Sequence, residues 1–283
     1  MNLSFNKKLW FLRFLAIFLS VSLSSCGAKK HKKRYEIYYT SLANKDLCAN
    51  CEIIIPKIIH RIWIPFSTEK KEIPKLYKKL DSRIKQLHPG WVVMQWNEES
   101  INILIDKYYP EFRDTFESYD VPIKKHDAAR YLILHHYGGM FIQHGLIINK
   151  NLEPLLRGYE AIFAEQSISD NTISTGFIAS IPNHPIISKI ILNLPKIKDR
   201  HVLQATGPYV ISHFAHKYAE ANKENNILVL PTKYLFPFDW NQKHQNPKII
   251  ECLASKKGCS ELFPGSYGYA LWSASWQKQY IAK

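Results

Sequence analysis

Residues 124–154 read KKHDAARYLILHHYGGMFIQHGLIINKNLEP, and the order of patterns in that stretch decides the fold class. From Ile123 to Tyr137 apolar positions recur at helical spacing, with Ala128, Tyr131, Leu132 and His135 on one face. Gly138-Gly139 stops the helix, since glycine enters the left-handed conformation that closes a helix without a Cβ clash. The pattern then turns strand-like. Met140-Phe141-Ile142 reads as one short strand and Leu146-Ile147-Ile148 as another.

The same alternation continues outward. Upstream, Glu52 to Trp63 is a β-rich run interrupted by Pro56, and Ile73, Leu76, Tyr77, Leu80, Ile84 and Leu87 recur as a helix face. Pro89-Gly90 ends that helix, Trp91 to Trp96 reads as a buried strand, and Ile101 to Tyr108 as a short helix. Downstream, Ala161–Ala164 and Ile173–Ile181 are strand expectations, and Pro185 opens a helix through Leu194. Strands alternating with helices predict an α/β layered fold. No internal repeat and no linker divides residues 52–283, so one domain is expected there.

Composition agrees. Apolar residues make up 46% and charged residues 22%, too apolar for a disordered chain, and 11 Gly with 15 Pro exclude collagen-like character. An aromatic content of 13% suits a sugar-like ligand and a plain core equally well. The net charge of +14 is largely local. Lys7, Lys8 and Arg13 lie in the first 26 residues, and Lys29, Lys30, Lys32, Lys33 and Arg34 form one run just after them. No nucleic-acid motif accompanies this basicity, so nucleic acid is not expected as a partner.

Residues 1–26 read as a signal peptide or signal anchor. The apolar stretch Phe14 to Leu23 is about ten residues, right for a signal h-region and short for a bilayer span. Leu23-Ser24-Ser25-Cys26-Gly27 resembles a bacterial lipobox with Cys26 as the lipidated residue. The expectation is a membrane-anchored chain with its domain on the exported side, a bacterial lipoprotein ahead of a type II secretory-pathway membrane protein. Residues 27–51 read as a basic polar tether. Cys48, Cys51, Cys252 and Cys259 remain as two disulfides with three possible connectivities, a zinc site being the lesser alternative.

The stretch 124–154 resembles the DXD-type sugar transferases of glycosyltransferase family 32. That family includes yeast Golgi α-mannosyltransferases and is akin to the clostridial glucosylating toxins. Its pattern is a Ser-Asp-x-x-Arg-Tyr helix followed by Tyr-Gly-Gly-x-Tyr-x-Asp-x-Asp. Ile55 to Trp63, His88-Pro89-Gly90-Trp91, Trp96-Asn97, Thr206-Gly207-Pro208 and Ser275-Trp276 also have counterparts there. The resemblance implies a GT-A-like, Rossmann-type nucleotide-sugar-binding fold. It implies Asp127 and Arg130 at the catalytic centre on the donor sugar and phosphates. Trp63 would stack on the nucleobase, Tyr137, Gly138 and Gly139 would belong to the donor site, and Ser275 and Trp276 would close over the diphosphate. Mn²⁺ or Mg²⁺ would be the family's cofactor. The partners would be a UDP- or GDP-linked sugar and a glycan, lipid or protein acceptor.

The departures carry equal weight. Where the family has Asp-x-Asp, this chain has Gln143-His144-Gly145, and the chain contains no other Asp-x-Asp. Neither Gln143 nor Gly145 supplies the carboxylate that a hard divalent cation wants, so no metal is expected at this spot. His126 and His144 could form a soft-metal pair, but lone histidines are seldom ligands. Asp127 could instead cap the helix that follows it, with Arg130 as its i,i+3 partner. The reading is therefore a glycosyltransferase, configuration-retaining by resemblance and independent of metal. The alternative is a catalytically inactive, membrane-anchored binding protein of the same fold.

Overall fold

Alternating side chains and helical crossovers order this chain into a sheet in the way its sequence dictates. In the computed structural model, residues 47–65, 72–167, 172–222, 226–255 and 257–273 are described. Strand β1 (Ile58–Ile62) is followed by helix α1 (Lys75–Leu87) and strand β2 (Val92–Trp96), which pairs parallel to β1 from Ile58↔Val92 to Ile62↔Trp96. Parallel pairing needs such a crossover. Helix α2 (Glu98–Tyr108) starts at a capping box in which Asn97 and Ser100 exchange side-chain and backbone hydrogen bonds. Helix α3 (Pro122–Tyr137) opens on a proline and ends at Gly138.

The chain then reverses into β3 (Gly139–Ile142), parallel to β1, and continues through β4 (Leu146–Ile148), β5 (Ala161–Glu165) and β6 (Ile173–Ser180). Helices α4 (Pro185–Ile197) and α5 (Pro208–Ala221), strand β7 (Ile227–Leu230), helix α6 (Pro247–Ala254) and strand β8 (Gly268–Ala270) follow. The main sheet has six strands in the order β2-β1-β3-β6-β5-β7, and β6 runs antiparallel to both its neighbours. A separate antiparallel pair joins β4 to β8. The whole is an α/β domain with a mixed sheet flanked by helices, consistent with a GT-A-like Rossmann-type fold.

Period-two alternation sorts the strand residues between two faces. Ile59, Met140, Ile142, Ile162, Ala164, Phe177, Ala179, Leu228 and Leu230 share one core with Ile84 of α1 and Leu235. The intervening residues, among them His60 and Phe141, lie on the other face, toward α3. Each large apolar side chain buried this way contributes about 1.5–3 kcal/mol. The cysteines pair as Cys48–Cys51 and Cys252–Cys259.

Several expectations change. Trp91–Trp96 is not a buried strand. β2 lies at the sheet edge, and among its residues only Trp96 is buried. The single apolar face expected on α3 is also too narrow. Lys124 and every residue from Asp127 to Leu134 are buried, because β1 and β3 lie on one side and α4 on another. Strands β7 and β8 and helices α5 and α6 were not legible in the pattern. Residues 1–26, with Cys26, lie outside the described residues. The lipoprotein and membrane-anchor reading is set aside: among the described residues no helix is long and apolar enough to cross a membrane.

The reversal between α3 and β3 demands glycine. Gly139 has φ +91°, and a Cβ there would meet the Ile58 carbonyl oxygen at 2.6 Å. Gly90 has a similar φ of +83° with nothing within 4 Å. Gly90→Ala should therefore cost only the left-handed backbone penalty, about 1 kcal/mol. Gly139→Ala should cost more than twice that, since backbone must also move. Urea denaturation of both variants measures the difference, and equal losses would show that the Ile58 contact imposes nothing.

Candidate active site

The carboxyl ends of β1, β2 and β3 converge, and two side-chain clusters meet there from opposite faces of the sheet. On the α1 face, Arg61 is buried to 0% exposure. Its Nε donates to Asp81 Oδ1 at 2.7 Å, and Nη1 donates to the carbonyls of Ile142 at 2.7 Å and Gln143 at 3.1 Å. Gln95 donates to the second Asp81 oxygen at 2.9 Å. Burial works against ionised Asp81, but His144 and the Arg61 guanidinium outweigh it and hold its pKa below the ordinary carboxylate value. His144 Nε2 stands 3.6 Å from Asp81, just beyond hydrogen-bond reach, and burial lowers its pKa. The rings of Trp63, Tyr77 and His144 form one cluster, with centroids 5.3–5.9 Å apart.

On the α3 face, Arg130 pairs with Asp127 at 2.5 Å, and its guanidinium lies 4.6 Å over the Phe141 ring. It also donates to the Thr175 carbonyl and to His126 Nδ1. Because arginine can only donate, His126 Nδ1 is an acceptor. Its proton therefore sits on Nε2, which donates to the Ile62 carbonyl at 3.2 Å. Burial, then the nearby Arg130 charge, push His126 down to about 3, so it is neutral. Asp127 accepts from Thr206 Oγ1 at 3.2 Å on its other oxygen. Burial pushes Asp127 up to about 6 against the opposing pull of Arg130 and Thr206. Asp127 caps no helix: it lies in the second turn of α3, whose N-cap is Val121.

The predicted residues do not all meet. α3 and β3 run in opposite directions, so Asp127 and Arg130 return to the end of β3 that carries Gln143. Tyr137, Gly138 and Gly139 stand at its other end, four residues or about 13 Å away. Gly138 gives its carbonyl to His60 Nε2 at 2.8 Å, while Trp96 donates to His60 Nδ1. Tyr137 packs on both of those rings. These three positions shape the turn. Ser275 and Trp276 lie outside the described residues. The chain before them passes the site, because Leu271 donates its amide to the Gly145 carbonyl at 2.8 Å.

The residues at 143–145 do not fit a hard divalent cation. The Gln143 amide is packed on Gly176, where a Cβ would lie 2.5 Å from it. Asp81 is taken up by Arg61 and Gln95, and Asp127 by Arg130 and Thr206. Among the described residues no group of three or more His, Cys, Asp or Glu side chains could hold a metal ion. Asp81, Tyr77 and Gln95 escaped sequence reasoning. A signal for Asp81 did exist, as it interrupts the apolar stripe of α1 between Tyr77 and Ile84.

Comparison with known proteins gives the chain's relatives. The family model described as "Glycosyltransferase sugar-binding region containing DXD motif" matches residues 74–162, from α1 into β5. Mannosyl phosphorylinositol ceramide synthase CSH1 of Saccharomyces cerevisiae is 33% identical over 200 residues, which are 68% of this chain and 50% of that protein. Inositol phosphoceramide mannosyltransferase 1 of Schizosaccharomyces pombe is 32% identical over 186 residues, 62% of this chain and 56% of that one. An uncharacterized glycosyltransferase of Acanthamoeba polyphaga mimivirus is 28% identical over 217 residues, 75% of this chain and 85% of its own length. The chain spans about half the length of the two yeast relatives. It is related to sugar-transferring glycosyltransferases, and the matched window contains Asp81, Asp127, Arg130, Gln143 and His144.

Asp127 provides a pH test of the buried pair. A carboxyl whose folded pKa exceeds its unfolded value contributes stability that is present at low pH and lost as pH rises through the folded pKa, here between about 4 and 6. Arg130→Met removes the counter-ion and raises Asp127 further. That variant should lose about 3–5 kcal/mol at pH 8 and regain most of it at pH 5. Urea titrations at both values check this, and a loss independent of pH would show that Asp127 carries no charge in the folded protein.

Proposed function

We propose that this chain is a glycosyltransferase that moves a sugar from a UDP- or GDP-linked donor to a glycan, lipid or protein acceptor, retaining the anomeric configuration and using no divalent metal. One observation carries the reading: Trp63, His144 and the Asp127–Arg130 pair converge at the carboxyl ends of parallel strands. Such strand ends are where open α/β sheets bind nucleotides. Trp63 is half-buried beside Tyr77 and offers a face on which a nucleobase can stack. The leaving diphosphate gains negative charge and needs fixed donors. Arg130, which keeps Nε without a partner among the described residues, and the unexposed Arg61 behind the strand ends place fixed positive charge there. His144 Nε2, 3.6 Å from the Asp81 carboxylate, lies beside them. In this reading Asp127 orients Arg130 from below as well as meeting donor hydroxyls.

A second reading is favoured by the same site. Both oxygens of Asp127 already have internal partners, and no carboxylate pair replaces the DXD. An inactive relative that binds a nucleotide sugar without transferring it would show this arrangement.

Calorimetry against UDP- and GDP-sugars, with and without EDTA, tests the proposal. One donor should bind with an affinity that EDTA changes less than about twofold. Trp63→Ala should weaken it roughly tenfold, the usual worth of a stacked base. A large loss with EDTA would mean that an unrecognised ligand set holds a metal. Binding without sugar transfer or donor hydrolysis would select the inactive reading, and no binding of either donor would remove both.

A further inference from the structure

Helix α1 carries a second face beside the one that enters the candidate site. Tyr77, Asp81 and Ile84 look toward the strand ends and the core, whereas Leu76, Leu80, Arg83 and Leu87 line a groove of about 670 Å³. That volume falls in the range of small-molecule sites. The floor is the β4–β8 pair, where Ile147 and Tyr269 are register partners. The far wall is the loop closed by the Cys252–Cys259 disulfide, which presents Leu253, Lys257 and Gly258. This wall is closely built. Gly258 has φ +71°, and a Cβ there would meet the Tyr269 hydroxyl at 2.2 Å.

The lining separates chemically. Leu76, Leu80, Leu87, Ile147, Leu253 and Leu271 supply an apolar trough, and Lys79, Arg83 and Lys257 supply three cations. Among the described residues that line it, none is acidic. Lys257 pairs with Glu261 at 3.3 Å, outside the lining, and both of those groups are exposed. Among the described residues Arg83 makes one long contact, to the Asn149 amide oxygen at 3.4 Å. The groove also reaches the candidate site: Leu271 lines it and bonds to the Gly145 carbonyl, two residues before Ile147.

We infer that this groove binds an anionic amphiphile, an apolar chain along the trough with a phosphate-bearing head at Lys79 and Arg83, and that it is the acceptor subsite. As an acceptor subsite it rests on the transferase reading; as a binding site it does not. Charge complementarity commits the groove to that occupant, because an apolar chain alone would not call for three cations and no carboxylate.

The test uses the whole chain and dodecyl phosphate below its micellar range, followed by calorimetry. Dodecyl phosphate should bind saturably, and dodecyl maltoside and inorganic phosphate should each bind at least tenfold more weakly. Arg83→Glu and Lys79→Glu, both at exposed positions, should each weaken dodecyl phosphate about tenfold, and more at low salt. Leu253→Asp should weaken it as much while leaving nucleotide-sugar binding unchanged. Equal affinity for the maltoside would reduce the groove to an apolar surface. Equal affinity for inorganic phosphate would show that no chain is seated. Tighter binding of an aspartate-rich peptide would make it a protein-docking surface, and no binding of any probe would end the inference. Dodecyl phosphate binding in a protein that binds no nucleotide sugar would keep the groove and overturn its acceptor role.

Discussion

A guanidinium with no exposure to solvent cannot remain charged in a folded protein unless its surroundings are built around it. Arg61 is that group. Asp81 neutralises it from α1, and the carbonyls of Ile142 and Gln143 accept from it at the end of β3. Gln95 on β2 holds the other Asp81 oxygen. Four elements are thus locked at one point. Trp63 lies two residues beyond Arg61, Tyr77 one turn before Asp81, and His144 two residues beyond Ile142, so the aromatic cluster inherits its geometry from this ion pair. Buried pairs add little net stability over an apolar core. What this one supplies is position.

The α3 face follows a different constraint. A helix and the strand after it can lie back to back only if the chain reverses sharply. Gly138 and Gly139 reverse it, against Pro182 and the Ile58 carbonyl, where a Cβ would lie 2.6–2.7 Å from its neighbours. That reversal carries the second turn of α3 back to the far end of β3. The glycines and the Asp127–Arg130 pair are therefore linked mechanically while standing at opposite ends of the strand. Neighbours in sequence, they are separated in space by the length of the strand.

Much of the fold was legible where the pattern was strong. Helix α1, the Pro122–Tyr137 helix, the short strands on either side of Gln143 and the helix opened by Pro185 all follow from periodicity and from Gly and Pro punctuation. The edge position of β2 was not legible, since an apolar run such as Trp91 to Trp96 does not say how many neighbours it will have. Strand β7 and the β4–β8 pairing depend on partners distant in sequence. In the site, Asp127 and Arg130 could be named from the resemblance of their stretch to the Asp-x-x-Arg-Tyr pattern, but the mid-helix burial that excludes a capping role could not be read from it.

What the sequence by itself determined is the set of local choices: where helices start and stop, which residues alternate, and that Gln143-His144-Gly145 carries no carboxylate. These depend on neighbours within a few positions, which backbone sterics and side-chain chemistry read directly. Only the tertiary structure decided that Asp81 meets Arg61, that Thr206 meets Asp127, and that α1 separates an aromatic cleft from a cationic groove. Those contacts join residues 20 and 79 positions apart or lie across a packed sheet. Their energies come from burial and charge pairing, which exist only once distant segments have excluded water together.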